Sequence, residues 1–83
     1  MEASIRKLEL KHLVVASDGT TFASGRDGRG KVQNYLIDRF GEIKRQVNTR
    51  FEPADRDEAC WIKHILENAH AVPVYHTKAI SLS

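Results

Sequence analysis

The chain has 83 residues, of which 41% are hydrophobic and 29% charged, and its formal net charge is +2. This composition is typical of one small folded domain and argues against a wholly disordered chain. No apolar run approaches the roughly 18 residues that a membrane span requires. A single cysteine excludes an internal disulfide, and the charged start MEASIRKLEL lacks the apolar run of a signal peptide. We therefore expect one cytoplasmic domain over residues 1–83, without a membrane partner.

The charges are unevenly distributed along the chain. Residues 26–50 contain seven basic and three acidic side chains, whereas residues 52–58 contain four acidic side chains and one basic. Such an asymmetry can steer a charged partner, although physiological salt limits the field to about 8 Å.

The first predicted element is a β-hairpin. Residues 5–16 alternate in hydrophobicity, Asp18-Gly19 provides a turn, and residues 21–23 begin the return strand. Asp-Gly between β-prone runs is a strong hairpin signal, because a primed turn needs positive φ at its centre. The alternation places Leu10 and Leu13 on opposite faces of the first strand.

The next predicted element is a helix over residues 31–51. Its apolar residues recur at the spacing of one helical face; they are Val32, Leu36, Phe40, Ile43 and Val47. Gly41 inside this stripe costs about 1 kcal/mol relative to alanine and weakens the helix. The helix is expected to end before Pro53.

A second helix is predicted to begin near Asp55, where Glu58 completes a capping box. Residues 72–82 alternate again and predict a closing strand with Pro73 at a sheet edge. The order β-β-α-α-β predicts an α+β domain, in which the hairpin and the C-terminal strand form a small antiparallel sheet with both helices on one face. The core face of the second helix carries Ala59, Ile62, Ile65, Leu66 and Ala69, and we identify no internal repeat.

The segment SGRDGRGKV, residues 24–32, matches the Gly-x-x-x-x-Gly-Lys spacing of a phosphate-binding loop. Val32, however, stands where serine or threonine would hold Mg²⁺, and a hairpin precedes the segment instead of a parallel strand. We therefore predict a connector between strand and helix, with no cofactor and no small-molecule substrate. A milder interpretation is an anion site formed by free N–H groups at the helix start and the basic side chains nearby.

Nucleic-acid binding is accordingly one alternative function, using the basic region 26–45. The cations of the predicted first helix scatter around its circumference, which favours a solvated surface over a binding stripe. No aromatic recognition pair is evident, and the three phenylalanines are expected in the core. The predicted anion contacts are Arg26, Arg29, Lys31, Lys44 and Arg45.

Two arrangements could support metal binding or catalysis, and neither is the favoured interpretation. Cys60 and His64 lie one helical turn apart, with Glu67 on the same side, but a structural zinc site normally needs four ligands. His70 and His76 flank the last helix-to-strand junction and suggest a small metal-independent ribonuclease as a second alternative. Their spacing matches no such enzyme, so we predict no metal site, no catalytic residue and no enzyme.

Trp61 provides the favoured functional hypothesis. It lies at the border of the apolar stripe, near His64 and Asn68. A half-exposed tryptophan among polar side chains is typical of a protein-binding hot spot, although a cover over the core is the more common role of such a residue. We expect a small non-enzymatic binding module, a regulator or inhibitor of the kind phages carry, which contacts another protein through these three residues. A homodimer through an exposed edge strand stays open.

Overall fold

The computed structural model describes residues 7–77, within which the chain forms six strands and one helix. All six strands belong to one sheet in the order β5-β4-β3-β2-β1-β6. The first five form an antiparallel meander, and the last pairs in parallel with the first. The elements are β1 (Glu9–Ala16), β2 (Thr21–Arg26), β3 (Val32–Ile37), β4 (Ile43–Val47), β5 (Arg50–Pro53), α1 (Arg56–Glu67) and β6 (Val74–Thr77).

The predicted β-β-α-α-β architecture is wrong. Residues 31–51, predicted as the first helix, instead contain β3, β4 and the start of β5. The described sheet is mixed instead of antiparallel, and one helix lies on it instead of two. The N-terminal hairpin and the second helix are present, and β6 begins inside the predicted closing strand. Residues 78–82 of that predicted strand lie outside the described residues.

The first predicted helix does not form because a tight turn occupies its centre. The N–H of Gly41 donates to the carbonyl of Asp38 at 2.9 Å, and Gly41 has a φ of +87°. The carboxylate of Asp38 accepts from the N–H groups of Phe40 and Glu42. Positive φ suits glycine and is incompatible with a right-handed helix. Phe40, predicted to be buried, therefore lies at the turn tip with 82% of its surface exposed.

The same kind of turn connects each pair of consecutive strands from β1 to β4. In every case a glycine with positive φ donates its N–H to the carbonyl three residues earlier. These glycines recur every 11 residues, at positions 19, 30 and 41. The meander thus has a periodic signal in the sequence, which our prediction of no internal repeat missed.

A bulge at Lys11 changes the faces of β1. Leu10 pairs with Gly25 and His12 with Ser24, so Lys11 is an extra residue that brings Leu10 and Leu13 to the same face. Gly25 permits the close approach of the two strands, since a Cβ there would lie 3.0 Å from the Leu10 Cα and collide with backbone. The predicted alternation was therefore wrong beyond this point.

Helix α1 covers one face of the sheet. Its N-terminus is capped by the predicted residue, with the carboxylate of Asp55 accepting from the N–H of Glu58 at 2.7 Å. The predicted second half of the capping box is not seen, because the carboxylate of Glu58 contacts Tyr35 and Arg45 instead. The predicted apolar stripe of α1 packs against the sheet, and Tyr35 and Ile62 are fully buried. The core consists of Leu8, Leu10, Ala23, Tyr35, Ile43 and Ile62. Within residues 7–77, no helix or strand covers the opposite face.

Candidate functional site

The candidate site is the face of the sheet that points away from α1, which we call the open face. Side chains on a strand alternate between faces, so the neighbours of the buried core residues lie here. One cross-strand row contains His12, Ser24, Asn34, Gln46 and Phe51. The adjacent row contains Tyr75, Val14, Phe22, Leu36, Lys44 and Pro53.

Two aromatic pairs lie on the open face. The rings of His12 and Tyr75 are 6.2 Å apart in an edge-on arrangement, and those of Phe22 and Phe51 are 6.4 Å apart. Tyr75 is 58% exposed, His12 is also exposed, and the two phenylalanines are half-buried. Rings of this kind offer flat apolar surfaces on which other planar groups stack.

A depression of about 360 Å³ lies on the open face, and its lining includes the polar residues Ser24, Asn34 and Gln46. The side-chain amide of Asn34 donates to the side-chain carbonyl oxygen of Gln46 at 2.9 Å. The amide of Gln46 in turn donates to the backbone carbonyl of Asn48 at 3.1 Å. Among the described residues, no hydrogen bond engages the side-chain carbonyl of Asn34 or the hydroxyl of Ser24. Both side chains line the depression and can bind a ligand.

Basic side chains lie on this surface and at one end of it. Lys44 lies on the open face itself, and Arg26 lies at the end of the sheet next to the β2–β3 turn, where its guanidinium donates to the carbonyl of Gly30 at 2.9 Å. Lys11 lies 3.0 Å from the carboxylate of Glu9. Of the described strand residues on this face, only Glu9 is acidic, so the surface has an excess of positive charge.

The predicted anion contacts divide between the two faces. Arg26, Arg29 and Lys31 lie together at the end of β2 and in the following turn, and Lys44 lies on the open face. Arg45, the next residue, points to the opposite side. Four of the five predicted cations therefore border or occupy one surface, and the fifth does not.

Arg45 belongs to a polar cluster beneath α1. Its guanidinium lies 3.5 Å from the carboxylate of Glu58, and the hydroxyl of Tyr35 donates to the same oxygen at 3.1 Å. Desolvation, followed by the nearby Glu58 charge, raises the pKa of Tyr35 well above its usual value. Tyr35 therefore stays a neutral donor, and the buried carboxylate of Glu58 keeps two partners.

The glycine-rich segment forms a strand-to-strand turn, and the predicted connection to a helix is wrong. The carboxylate of Asp27 accepts from the N–H groups of Arg29 at 2.8 Å and Lys31 at 3.1 Å, and from the side chain of Gln33 at 3.0 Å. The bond from the side chain of Gln33, followed by those from the backbone of Arg29 and Lys31, holds the pKa of Asp27 below its usual range. The backbone donors of Arg29 and Lys31 thus have an internal acceptor, and the turn contributes its basic side chains instead.

The three predicted protein contacts lie together on α1. The rings of Trp61 and His64 are 5.4 Å apart, and the amide of Asn68 donates to the carbonyl of His64 at 2.8 Å. Trp61 also packs against the core. Trp61 therefore covers part of the core and remains partly exposed. Together the three residues form a second, separate surface on the helix side of the sheet.

The histidines of the ribonuclease alternative lie away from the open face. His70 follows α1, and His76 pairs with Val15 on the helix side of β6. Cys60 is exposed on α1. Within residues 7–77, no group of three histidine, cysteine or acidic side chains is arranged to hold a metal ion.

Sequence reasoning missed the aromatic residues of the open face. Phe22 and Phe51 were expected in the core, and neither His12 nor Tyr75 was assigned a role. Their proximity depends on pairing between strands that are distant in sequence. The recurrence of glycine every 11 residues was the available signal in the sequence. If each of these glycines marks a turn between antiparallel strands, Ser24 lies opposite Asn34.

No family model, curated protein or solved structure matches the chain. Over the described residues, no helix is both long and apolar enough to cross a bilayer.

Proposed function

We propose that the protein is a non-enzymatic binding module that holds single-stranded nucleic acid on the open face of its sheet. The observation that carries the proposal is the presence, on the open face, of accessible aromatic rings together with nearby cations. Single strands are bound through both features, because bases stack on aromatic rings and phosphates are attracted to lysine and arginine.

Charge complementarity favours a polyanion over an average protein surface. Lys44, Arg26 and the basic turn provide positive charge, whereas the acidic Glu9 is paired with Lys11. The negative side chains near α1 lie across the sheet from this surface. A phosphate backbone would therefore meet Lys44 and Arg26 on the open face, while the carboxylate of Asp27 in the neighbouring turn accepts hydrogen bonds from that turn.

The shape of the surface favours a single strand over a duplex. A duplex hides the faces of its bases within the stack and presents mainly phosphates and groove edges. The rings of His12 and Tyr75 can contribute stacking only if bases are unpaired and available. Within residues 7–77 no helix lies on this face, so such bases would lie directly against the strands.

The test is a titration of the full 83-residue chain into fluorescent 15-nucleotide single strands of mixed DNA or RNA sequence, followed by anisotropy from 50 to 300 mM salt. We expect log Kd to change linearly with log salt concentration. Lys44→Gln should reduce the magnitude of the slope by about 1, because one phosphate contact is lost. Lys63→Gln, an exposed position on α1, is the matched control and should change nothing.

Failure to bind either strand, or equal effects of the two lysine variants, would contradict the proposal. A labelled duplex of the same sequence is the second comparison. Tighter binding of the duplex than of the single strand would also count against stacking on this face.

A protein partner at Trp61, His64 and Asn68 is the second candidate. The contact between the Trp61 and His64 rings supports it, because an aromatic cluster with a partly exposed edge is typical of binding hot spots. Affinity capture from the host extract, with and without nuclease, distinguishes the candidates. A nuclease-resistant partner that is lost in His64→Ala and retained in Lys44→Gln would support the helix surface, and a nuclease-sensitive one the open face.

A further inference from the structure

We infer that the depression on the open face seats one unpaired base and that Asn34, with Gln46 and Ser24, recognises the edge of that base. The inference rests on the proposed function and adds base recognition to it. It assigns selectivity to named side chains that are distinct from the phosphate-attracting cations.

The depression has the composition of a small ligand site. Its volume of about 360 Å³ falls at the lower end of the roughly 300–1,000 Å³ typical of ligand pockets. Two half-buried rings, Phe22 and Phe51, form an apolar wall, and a planar base can lie against them. The exposed ring of His12 borders the same space.

The cross-strand row through the depression has polar side chains between two aromatic ends. From β1 to β5 it runs His12, Ser24, Asn34, Gln46, Phe51, so a hydroxyl and two amides lie between the rings. Because each residue comes from a different strand, the row is held by sheet hydrogen bonds instead of by a flexible loop. The backbone positions of its three polar residues are therefore fixed relative to one another, and a side-chain hydrogen bond joins Asn34 to Gln46.

The hydrogen bonds already present orient the amides for recognition. Asn34 donates one N–H to Gln46, and Gln46 donates one to the backbone of Asn48. The Asn34 carbonyl, its second N–H and the Ser24 hydroxyl are then left for a ligand. An amide that offers one acceptor and one donor side by side can make a two-point contact with the edge of a base.

Recognition at the depression is separable from phosphate attraction. Of the described residues, those lining it are His12, Phe22, Ala23, Ser24, Asn34, Tyr35, Gln46 and Phe51, and none is a lysine, an arginine or a carboxylate. Lys44 lies in the adjacent row. A substitution of Asn34 should therefore alter the choice of base, and a substitution of Lys44 the dependence on salt.

The experiment compares binding of oligo(dT), oligo(dA) and oligo(dC) 15-mers to the full chain at one salt concentration. We expect the native protein to prefer one of them by about tenfold or more, since a two-point contact with a base edge discriminates to this extent. Asn34→Ala should reduce the preference to less than about threefold while leaving the salt slope unchanged. Lys44→Gln should lower the slope and keep the preference.

The outcomes separate this inference from the function on which it rests. If the native protein binds no strand, both are overturned. If it binds all three strands equally, or if Asn34→Ala retains the preference, only base recognition is overturned. Should Asn34→Ala fail to fold, Asn34→Asp keeps the shape and replaces the donor by an acceptor. A preferred base that is unchanged in Asn34→Asp would equally contradict the inference.

Discussion

The two faces of the sheet are built by the same strands and have different physical roles. On the covered face Ala23 and Tyr35 are buried against α1. On the open face their strand neighbours Ser24 and Asn34 line a depression. Alternation along each strand therefore places a buried side chain next to a side chain of the proposed binding surface. Burial has to agree with the face before a substitution is assigned to one role, since Leu36 lies on the open face and is nevertheless buried.

Lys44 and Arg45 show the difference most clearly. Arg45 lies in an ion pair with the buried carboxylate of Glu58 on the covered face. Lys44 lies on the open face in the row of Phe22 and Leu36, where its charge remains available to a partner. The function of a cation is thus decided by its surroundings and not by the basic run in which it occurs.

The largest expected effect is on the covered face. Ile62→Ala should lower the free energy of unfolding by about 2–5 kcal/mol, because it opens a cavity beside a side chain with no exposed surface. Tyr75→Ala on the open face should change it by less than about 0.5 kcal/mol. Urea unfolding monitored by circular dichroism measures both. Similar losses of unfolding free energy in the two variants would contradict the proposed division between the faces.

The next effect concerns the polar cluster under α1. Tyr35→Phe should destabilise the fold by about 1–3 kcal/mol, since the buried carboxylate of Glu58 loses a donor. The ring and its packing are retained in this variant, so the loss reports the hydroxyl. An unchanged urea midpoint would show that Glu58 does not need this bond.

The Tyr35 hydroxyl also makes the free energy of unfolding depend on pH. The pKa of Tyr35 is raised in the folded state, so the unfolded chain releases this proton first, near pH 10. The stabilisation is fully present below that pH and is lost as the pH rises towards the folded-state pKa. The difference in unfolding free energy between the native chain and Tyr35→Phe should therefore shrink above about pH 10. A difference that stays constant to pH 11 would contradict the raised pKa.

A smaller effect on the free energy of unfolding is expected in the turns that join the paired strands. Gly30→Ala should cost about 1–2 kcal/mol, because φ is +77° and no neighbouring atom contributes to the loss. Gly28→Ala in the same turn is the control, since Gly28 is not among the glycines with positive φ. Equal urea midpoints for the two variants would argue against the turn geometry.

The smallest stability effect is expected for His12→Ala on the open face. The side chain is exposed, so the free energy of unfolding should change by less than about 0.5 kcal/mol. Its affinity for a single strand should nevertheless fall, because one stacking surface is removed. Anisotropy and urea unfolding on the same preparation separate the two quantities. A loss of stability without a loss of affinity would reverse the role given to this residue.

The elements with local signals were predictable from the sequence. Asp18-Gly19 marked the first hairpin, and Asp55 with Glu58 marked the start of α1. Residues 31–51 were assigned to the wrong structure because two strands joined by a turn placed apolar residues at helical spacing by chance. The carboxylate of Asp38 and the positive φ of Gly41 decide in favour of the turn.

The candidate site was predictable only in part. Four of the basic residues named from the sequence border or occupy the open face. The depression was not predictable, because it requires five strands in register and a bulge at Lys11 that changes the face of every later residue in β1. Which face a residue occupies depends on pairing that no local pattern specifies.

The most direct test of the open face as the binding surface is an NMR titration of the ¹⁵N-labelled chain with a mixed-sequence single-stranded 15-mer. The predicted result is that the largest shift changes fall on the side-chain amides of Asn34 and Gln46 and on the backbone of Ser24, while Cys60, Lys63 and Glu67 of α1 stay unchanged. Shift changes concentrated on α1, with the amides of the open face unaffected, would contradict the account.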